Sequence, residues 1–223
     1  MMINYFSTSD SATLYWDKPD KANKNTVYEI FVDGVKSGET AKTHYTVSGL
    51  KSEQKYGVEI KTDFVVSSIV ITTNKQKCKL DVTKSPYLAL GDGKTLNTKV
   101  LQNAIDNCTE NETLYFPKGV YMTGALRLHS NMEIYLEEGA ILQGTDDPED
   151  YLPRIWSRFE GTELSCYSSL LNLGELDRNG GYSCKNVFIH GKGTIASGGE
   201  VLGRRVIELE REALKDYLAE LGD

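Results

Sequence analysis

The sequence has no apolar run approaching the ~20 residues of a membrane-crossing helix, which excludes a helical span. Its opening, Met1-Met2-Ile3-Asn4-Tyr5-Phe6, has neither a basic n-region nor a long apolar core, so no secretory signal is read. On that reading a cytoplasmic, bacterial location is expected over secretion. Cysteine is scarce: four residues, at positions 78, 108, 166 and 184, none with CxxC spacing and with His190 the nearest histidine. That pattern argues against a zinc site, and no metal or cofactor is expected. Basic charge is also short, 25 Lys and Arg against 32 Asp and Glu, for a net charge of −7. The first 75 residues are balanced, so the excess acid lies in the remainder. Such a surface repels phosphate backbones and excludes nucleic acid as a partner, and an anionic substrate would need a local basic pocket. What is present is a globular balance, 39% hydrophobic and 26% charged over 223 residues, enough for one large domain or two small ones.

Within residues 1–75, residues 11–73 alternate apolar and polar side chains in short runs: Ala12-Thr13-Leu14-Tyr15-Trp16, Val27 to Val32, His44 to Val47, Tyr56 to Ile60 and Ser68 to Thr73. Asp33-Gly34 closes the second run with a hairpin signal. Strands of period 2 each bury one face, so a second sheet must cover them, which predicts a β-sandwich. Leu14-Tyr15-Trp16-Asp17-Lys18-Pro19 and the Leu50-to-Tyr56 spacing resemble the early strand and the tyrosine corner of a fibronectin type III domain. The resemblance implies that Trp16 and Tyr56 are buried core residues. With no cluster of exposed aromatics in view, the module is read as a spacer or packing partner.

From Leu80 onward the pattern changes. Asn97 to Cys108 places Leu101, Ala104, Ile105 and Cys108 on one helical face, with Asn97 as the expected N-cap. Then Leu114 to Gly124 and Ile134 to Gly144 match at a spacing of 20, with a third partial copy from Phe188 to Gly198. All three contain Gly-x4-Gly, at 119/124, 139/144 and 193/198. A ~20-residue period of short strands and glycine corners predicts a β-helix, in which equivalent side chains stack coil upon coil. The alignment predicts an inward ladder of Leu114, Ile134 and Phe188, with Gly119, Gly139 and Gly193 at equivalent corners.

Gly91-Asp92-Gly93-Lys94-Thr95-Leu96-Asn97-Thr98, the helix Leu101 to Cys108, Phe116-Pro117-Lys118-Gly119-Val120-Tyr121, Leu136-Glu137-Glu138-Gly139-Ala140 and Gly191-Lys192-Gly193-Thr194-Ile195 follow one another in a fixed order. Together they resemble the N-terminal landmarks of the pectin-lyase-like right-handed parallel β-helix, and more closely of glycoside hydrolase family 28, the polygalacturonases. A fibronectin-like module in front narrows the likeness to bacterial exo-acting members. The expected fold is therefore all-β: a sandwich over 1–75, then over 76–223 the first coils of a β-helix with a short capping helix and a C-terminal helix. The resemblance implies hydrolysis of α-1,4-galacturonosidic links in pectin, one carboxyl protonating the leaving oxygen and another activating water. It also implies polygalacturonate or pectin oligosaccharides as partners of the parent enzyme.

The family's catalytic spellings are missing. Asn-Thr-Asp and Arg-Ile-Lys do not occur, and Gly144-Thr145-Asp146-Asp147 fits Gly-x-Asp-Asp but falls in a predicted turn before Pro148. His190 is expected to be a stacked strand residue. No catalytic residue is therefore assigned, and the chain is expected to be inactive, ending before the catalytic coils. Residues 145–185 interrupt the repeats with Arg154-Ile155-Trp156-Ser157-Arg158, whose guanidinium forks and indole suit an acidic sugar, so Arg154, Trp156 and Arg158 are the candidate substrate-binding residues. Residues 204–221 read as a helix with Val206, Ile207, Ala213, Leu214, Tyr217, Leu218 and Leu221 on one face. The other function class is a non-catalytic β-helix that holds acidic polysaccharide. An eliminase on the same fold is disfavoured, because no carboxylate cluster has calcium-loop spacing.

Overall fold

A computed structural model describes residues 1–159, 161–174 and 183–215. The chain divides into two compact units, Met1–Lys77 and Cys78–Asp223. The first holds seven strands: β1 (Ile3–Ser7), β2 (Ser11–Trp16), β3 (Tyr28–Val32), β4 (Val35–Thr40), β5 (His44–Ser48), β6 (Lys55–Lys61) and β7 (Val66–Thr72). They form two antiparallel sheets, ordered β1-β2-β5 and β4-β3-β6-β7. The period-2 pattern is the cause. Along β2, Ala12, Leu14 and Trp16 point inward, and they meet Tyr28, Ile30, Val58, Ile60 and Ile71 from the other sheet. The Trp16 and Tyr28 rings pack edge to face with centroids 5.1 Å apart. Asp33 and Gly34 both take positive φ, 47° and 81°, as a twisted two-residue hairpin turn requires. The tyrosine corner forms, the Lys51 N–H donating to the Tyr56 hydroxyl at 2.7 Å. Tyr56 itself is half-buried rather than fully buried, because holding its hydroxyl on that turn keeps the ring at the edge of the core.

The second unit winds in coils. β8 (Cys78–Asp81), β9 (Asp92–Leu96) and α1 (Thr98–Asn107) form the first; β10 (Glu112–Phe116), β11 (Gly119–Thr123) and β12 (Leu126–Leu128) form the second. The third has β13 (Met132–Leu136) and β14 (Ala140–Gly144), then an excursion before it closes. The excursion holds a 3₁₀ turn (Pro148–Tyr151) and the hairpin β15 (Ile155–Phe159) and β16 (Thr162–Cys166), and the coil then ends in β17 (Leu171–Leu173). β18 (Val187–Gly191), β19 (Thr194–Ala196) and α2 (Gly199–Ala213) complete the described chain. Like strands stack in parallel sheets, β18-β13-β10-β8, β19-β14-β11-β9 and β12-β17, which is a parallel β-helix. α1 stands in the first coil where the later coils place a third strand, and it buries Leu101, Ala104 and Ile105 in the common core.

The structure corrects four further expectations. The inward ladder runs Leu80, Leu114, Ile134, Ile189; Phe188 pairs with Glu133 instead and faces outward. Because side chains alternate, a slip of one residue moves each to the opposite face. Gly119 pairs with Ala140, so Gly139, at φ +85°, lies within the corner and Gly119 does not match it. Asn97 does not cap α1 with its side chain: its amide accepts the Leu90 N–H and donates to the carbonyls of Leu90 and Thr95, riveting the preceding loop. α2 begins at Gly199, earlier than expected, and none of its described residues is buried, so Val201, Ile207 and Leu209, with Leu214 just after it, remain exposed. Tyr217, Leu218 and Leu221 lie outside the described residues.

Outside the first sheet a second ladder forms. Tyr115 stacks on Tyr135 at 5.8 Å, and His190 packs against Tyr135 and Phe188. His190 is thus a stacked strand residue, and its Nε2 lies 2.9 Å from the Glu133 carboxylate on the neighbouring strand.

Candidate substrate-binding site

The excursion after β14 is tied to the coils by backbone packing. Asp150 accepts the Ala125 N–H at its carbonyl, 2.9 Å away, and the buried Tyr151 donates its hydroxyl to the Thr145 carbonyl at 2.7 Å. Burial of that ring pushes the Tyr151 phenol pKa up. A Cβ at Gly124 would collide with the Asp150 carbonyl oxygen, so the second glycine of the repeat is there for close approach, not for positive φ.

Between the excursion and the outer face of β12 and β17 lies a cavity of about 870 Å³. Arg127 of β12 and Asn172 of β17 are cross-strand neighbours on its floor. Arg154 and Trp156 line its wall, and Gln102 reaches it from α1. Among the described lining residues two are arginines and none is acidic, although the chain carries a net charge of −7. Trp156 is 55% exposed. Arg154 forms an ion pair with Glu210 of α2 and lies 4.4 Å from the centre of the Tyr167 ring. The Glu210 carboxylate raises the Arg154 pKa further, so this guanidinium stays charged.

The structure therefore brings Arg154 and Trp156 to one cavity and leaves Arg158 out of its lining. Arg158 sits opposite Glu163 across the β15–β16 hairpin and pairs with it at 3.2 Å. Sequence reading missed Arg127, Gln102 and Asn172. An arginine between two leucines in Leu126-Arg127-Leu128 is a signal of one outward residue on a short strand, and Asn172 repeats it in Leu171-Asn172-Leu173.

The paired carboxylates are committed elsewhere. Asp147 accepts the Glu149 N–H at 3.0 Å and caps the 3₁₀ turn; Asp146 holds Arg205 at 2.9 Å. Neither lines the cavity. Among the described residues no cluster of three or more His, Cys, Asp or Glu is arranged to hold a metal ion.

A sandwich of three and four strands followed by a parallel β-helix with a capping helix defines a pectin-lyase-like, two-unit architecture. Within that class, two sequence relatives and a structural neighbour of this chain are polygalacturonases. No family model matches the chain. An exo-poly-α-D-galacturonosidase of Dickeya chrysanthemi is 30% identical, matching 85% of this chain and 37% of that protein. A probable polygalacturonase of Vitis vinifera is 35% identical over 63 residues, 26% of this chain and 13% of that protein. The structure of the Yersinia enterocolitica family 28 exopolygalacturonase superposes with a TM-score of 0.70 at 28% identity, covering 87% of this chain and 40% of that one. The chain thus spans less than half the length of these relatives.

Proposed function

We propose that this chain is the N-terminal portion of an exo-acting polygalacturonase, and that the cavity over β12 and β17 holds a galacturonate unit of the polymer. The observation that carries the second half is the lining: among its described residues, two arginines, an exposed indole and no carboxylate in an otherwise acidic chain. A uronate carboxylate takes two parallel hydrogen bonds from a guanidinium, and an indole face covers the apolar side of a pyranose ring. Arg127, Arg154 and Trp156 are the contacts in this reading, while Arg158 shapes the hairpin that carries Trp156.

Hydrolysis with inversion needs an acid and a base ~6.5–9.5 Å apart, with a water between them. Asp146 and Asp147 are bound into a turn and an ion pair, so the reading puts both catalytic carboxylates on coils beyond Asp223. Titration of the chain with oligogalacturonates, followed by tryptophan fluorescence, tests the cavity. Saturable quenching that is lost in Trp156→Phe and weakened about tenfold in Arg127→Ala and Arg154→Ala is expected. Unchanged binding in all three variants would remove the cavity from the proposal. Reducing-sugar release from polygalacturonate by the chain, abolished in Asp146→Asn/Asp147→Asn, would overturn the placement of catalysis. The second reading, a non-catalytic β-helix that holds acidic polysaccharide, is favoured by those same engaged carboxylates. The coding sequence after Asp223 separates the two: Asn-Thr-Asp followed by Gly-x-Asp-Asp supports the hydrolase, a stop codon the holder.

A further inference from the structure

We propose that the free edge of β7 is a homotypic pairing site, where β7 of a second copy of this chain adds antiparallel and continues the β4-β3-β6-β7 sheet across a two-fold axis. Among the described residues β7 is the last strand of its sheet, with β6 as its one neighbour. Thr72 shows which of its backbone groups face outward. Its N–H donates to the Tyr5 hydroxyl at 3.3 Å and its carbonyl accepts the Ser7 hydroxyl at 2.8 Å, both away from β6. An antiparallel strand directs the N–H and C=O of every second residue to the same side. Val66, Ser68 and Val70 therefore offer their backbone groups to the open edge, beyond the reach of β1.

The side chains fit the same use. Val66 is 61% and Val70 62% exposed, on the face away from the core. No charged residue occurs from Phe64 to Asn74, and the strand has no proline or bulge. The opposite edge of the same sheet is guarded by those devices. β4 carries Lys36, paired with Glu29 at 2.6 Å and Glu39 at 2.9 Å, and its pairing with β3 is broken by a register shift at Ile30/Phe31. Edge strands of soluble proteins are ordinarily protected by charge, proline or bulges, and an unprotected one is a template for another strand.

The occupant follows from the sequence of the edge. An antiparallel pair centred on Ser68 sets Ser68 against Ser68 of the second copy and Val66 against Val70 in both directions. All three are hydrogen-bonded pairs, and the valines meet on one face. A strand with no charge meets no unpaired charge in its own copy. The contact is small, which places it among weak associations that depend on concentration.

Sedimentation of the full chain over a concentration series, in reductant to keep the exposed Cys78 from cross-linking, is the test. The mass is expected to rise from one chain to two. Ser68→Lys sets like charges face to face at the axis, and it should move the midpoint up about tenfold or more. Val70→Lys should do the same, while Val35→Lys on the β4 edge should change nothing. Far-UV circular dichroism and melting confirm that each exposed substitution leaves the fold intact. A chain that stays monomeric at every concentration, an association that survives both β7 substitutions, or one that Val35→Lys breaks equally, would overturn the proposal.

Discussion

The side-chain amide of Gln102 pairs with the backbone of Arg127 as a neighbouring strand would: its Nε2 donates to the Arg127 carbonyl at 2.9 Å and its Oε1 accepts the Arg127 N–H at 2.8 Å. β12 needs this because α1 occupies the first coil, so no strand among the described residues lies on that side of it. Gln102→Ala is expected to remove both of these bonds to the Arg127 backbone and to destabilise the helix unit by about 1–2 kcal/mol, read as a lower urea midpoint. Gln102→Glu keeps the acceptor but sets a carboxylate oxygen against the Arg127 carbonyl and the Asp106 carboxylate, so at neutral pH it should cost at least as much as Gln102→Ala. It should also weaken oligogalacturonate binding, since it adds an acid beside the cavity.

Gly124 and Gly203 make a second contrast. A Cβ at Gly124 meets the backbone carbonyl of Asp150, while at Gly203, inside α2, nothing lies within 4 Å. Gly124→Ala must push the excursion away from β12 and should lower the melting temperature and loosen ligand binding together. Gly203→Ala should be neutral or stabilising by up to about 1 kcal/mol, the usual gain from replacing an exposed helical glycine. Equal effects at the two sites would show that the excursion is not seated on Gly124.

The inward ladder tests the corrected register. Ile189 lies on Ile134, while Phe188 lies on Glu133 outside. Ile189→Ala is expected to cost about 1–3 kcal/mol, at the lower end of core truncations because Ile189 is only partly buried, and Phe188→Ala less, even though it removes more atoms. Matched chemical denaturation of the two variants decides this.

That error shows how far the sequence carried. The sandwich was legible because β2, β3 and β6 alternate cleanly, and the coils because their glycines recur. The register of the last coil was not, because counting glycines assumes corners of equal length. The corner from β18 to β19 has two residues, Lys192 and Gly193, between Gly191 and Thr194, where the corner it stacks on has four, Glu137 to Ala140, between Leu136 and Ile141. A better marker was in the chain: Asn131 and Asn186 both take positive φ, 61° and 56°, just before β13 and β18, and their side chains are bonded at 2.8 Å. Aligning those asparagines gives the observed pairing. Of the site, Arg154 and Trp156 could be named because they interrupt the repeats, whereas Arg127 could not, since nothing local to Leu126-Arg127-Leu128 says that an excursion will roof it.

The last expectation concerns acid. Asp92 accepts the N–H groups of Lys94 at 2.9 Å and Thr95 at 2.8 Å and the Thr95 hydroxyl at 2.8 Å, closing the turn that starts β9. Those donors favour the ionised carboxylate and pull its pKa down to about 2, with the Thr95 amide contributing most. An unfolded aspartate titrates near ~3.9, so over this interval the unfolded chain binds the proton more readily than the native one. The stabilisation is therefore complete above pH ~4–5 and drains away as pH falls toward about 2. Asp92→Asn keeps an acceptor but removes the charge. The stability gap between wild type and Asp92→Asn, measured by urea midpoints at stepped pH, should be widest near neutrality and narrow steadily between pH ~4 and ~2. A gap that stays constant with pH would mean that the three hydrogen bonds do not distinguish the charged from the neutral carboxyl, and that the turn is held by its backbone alone.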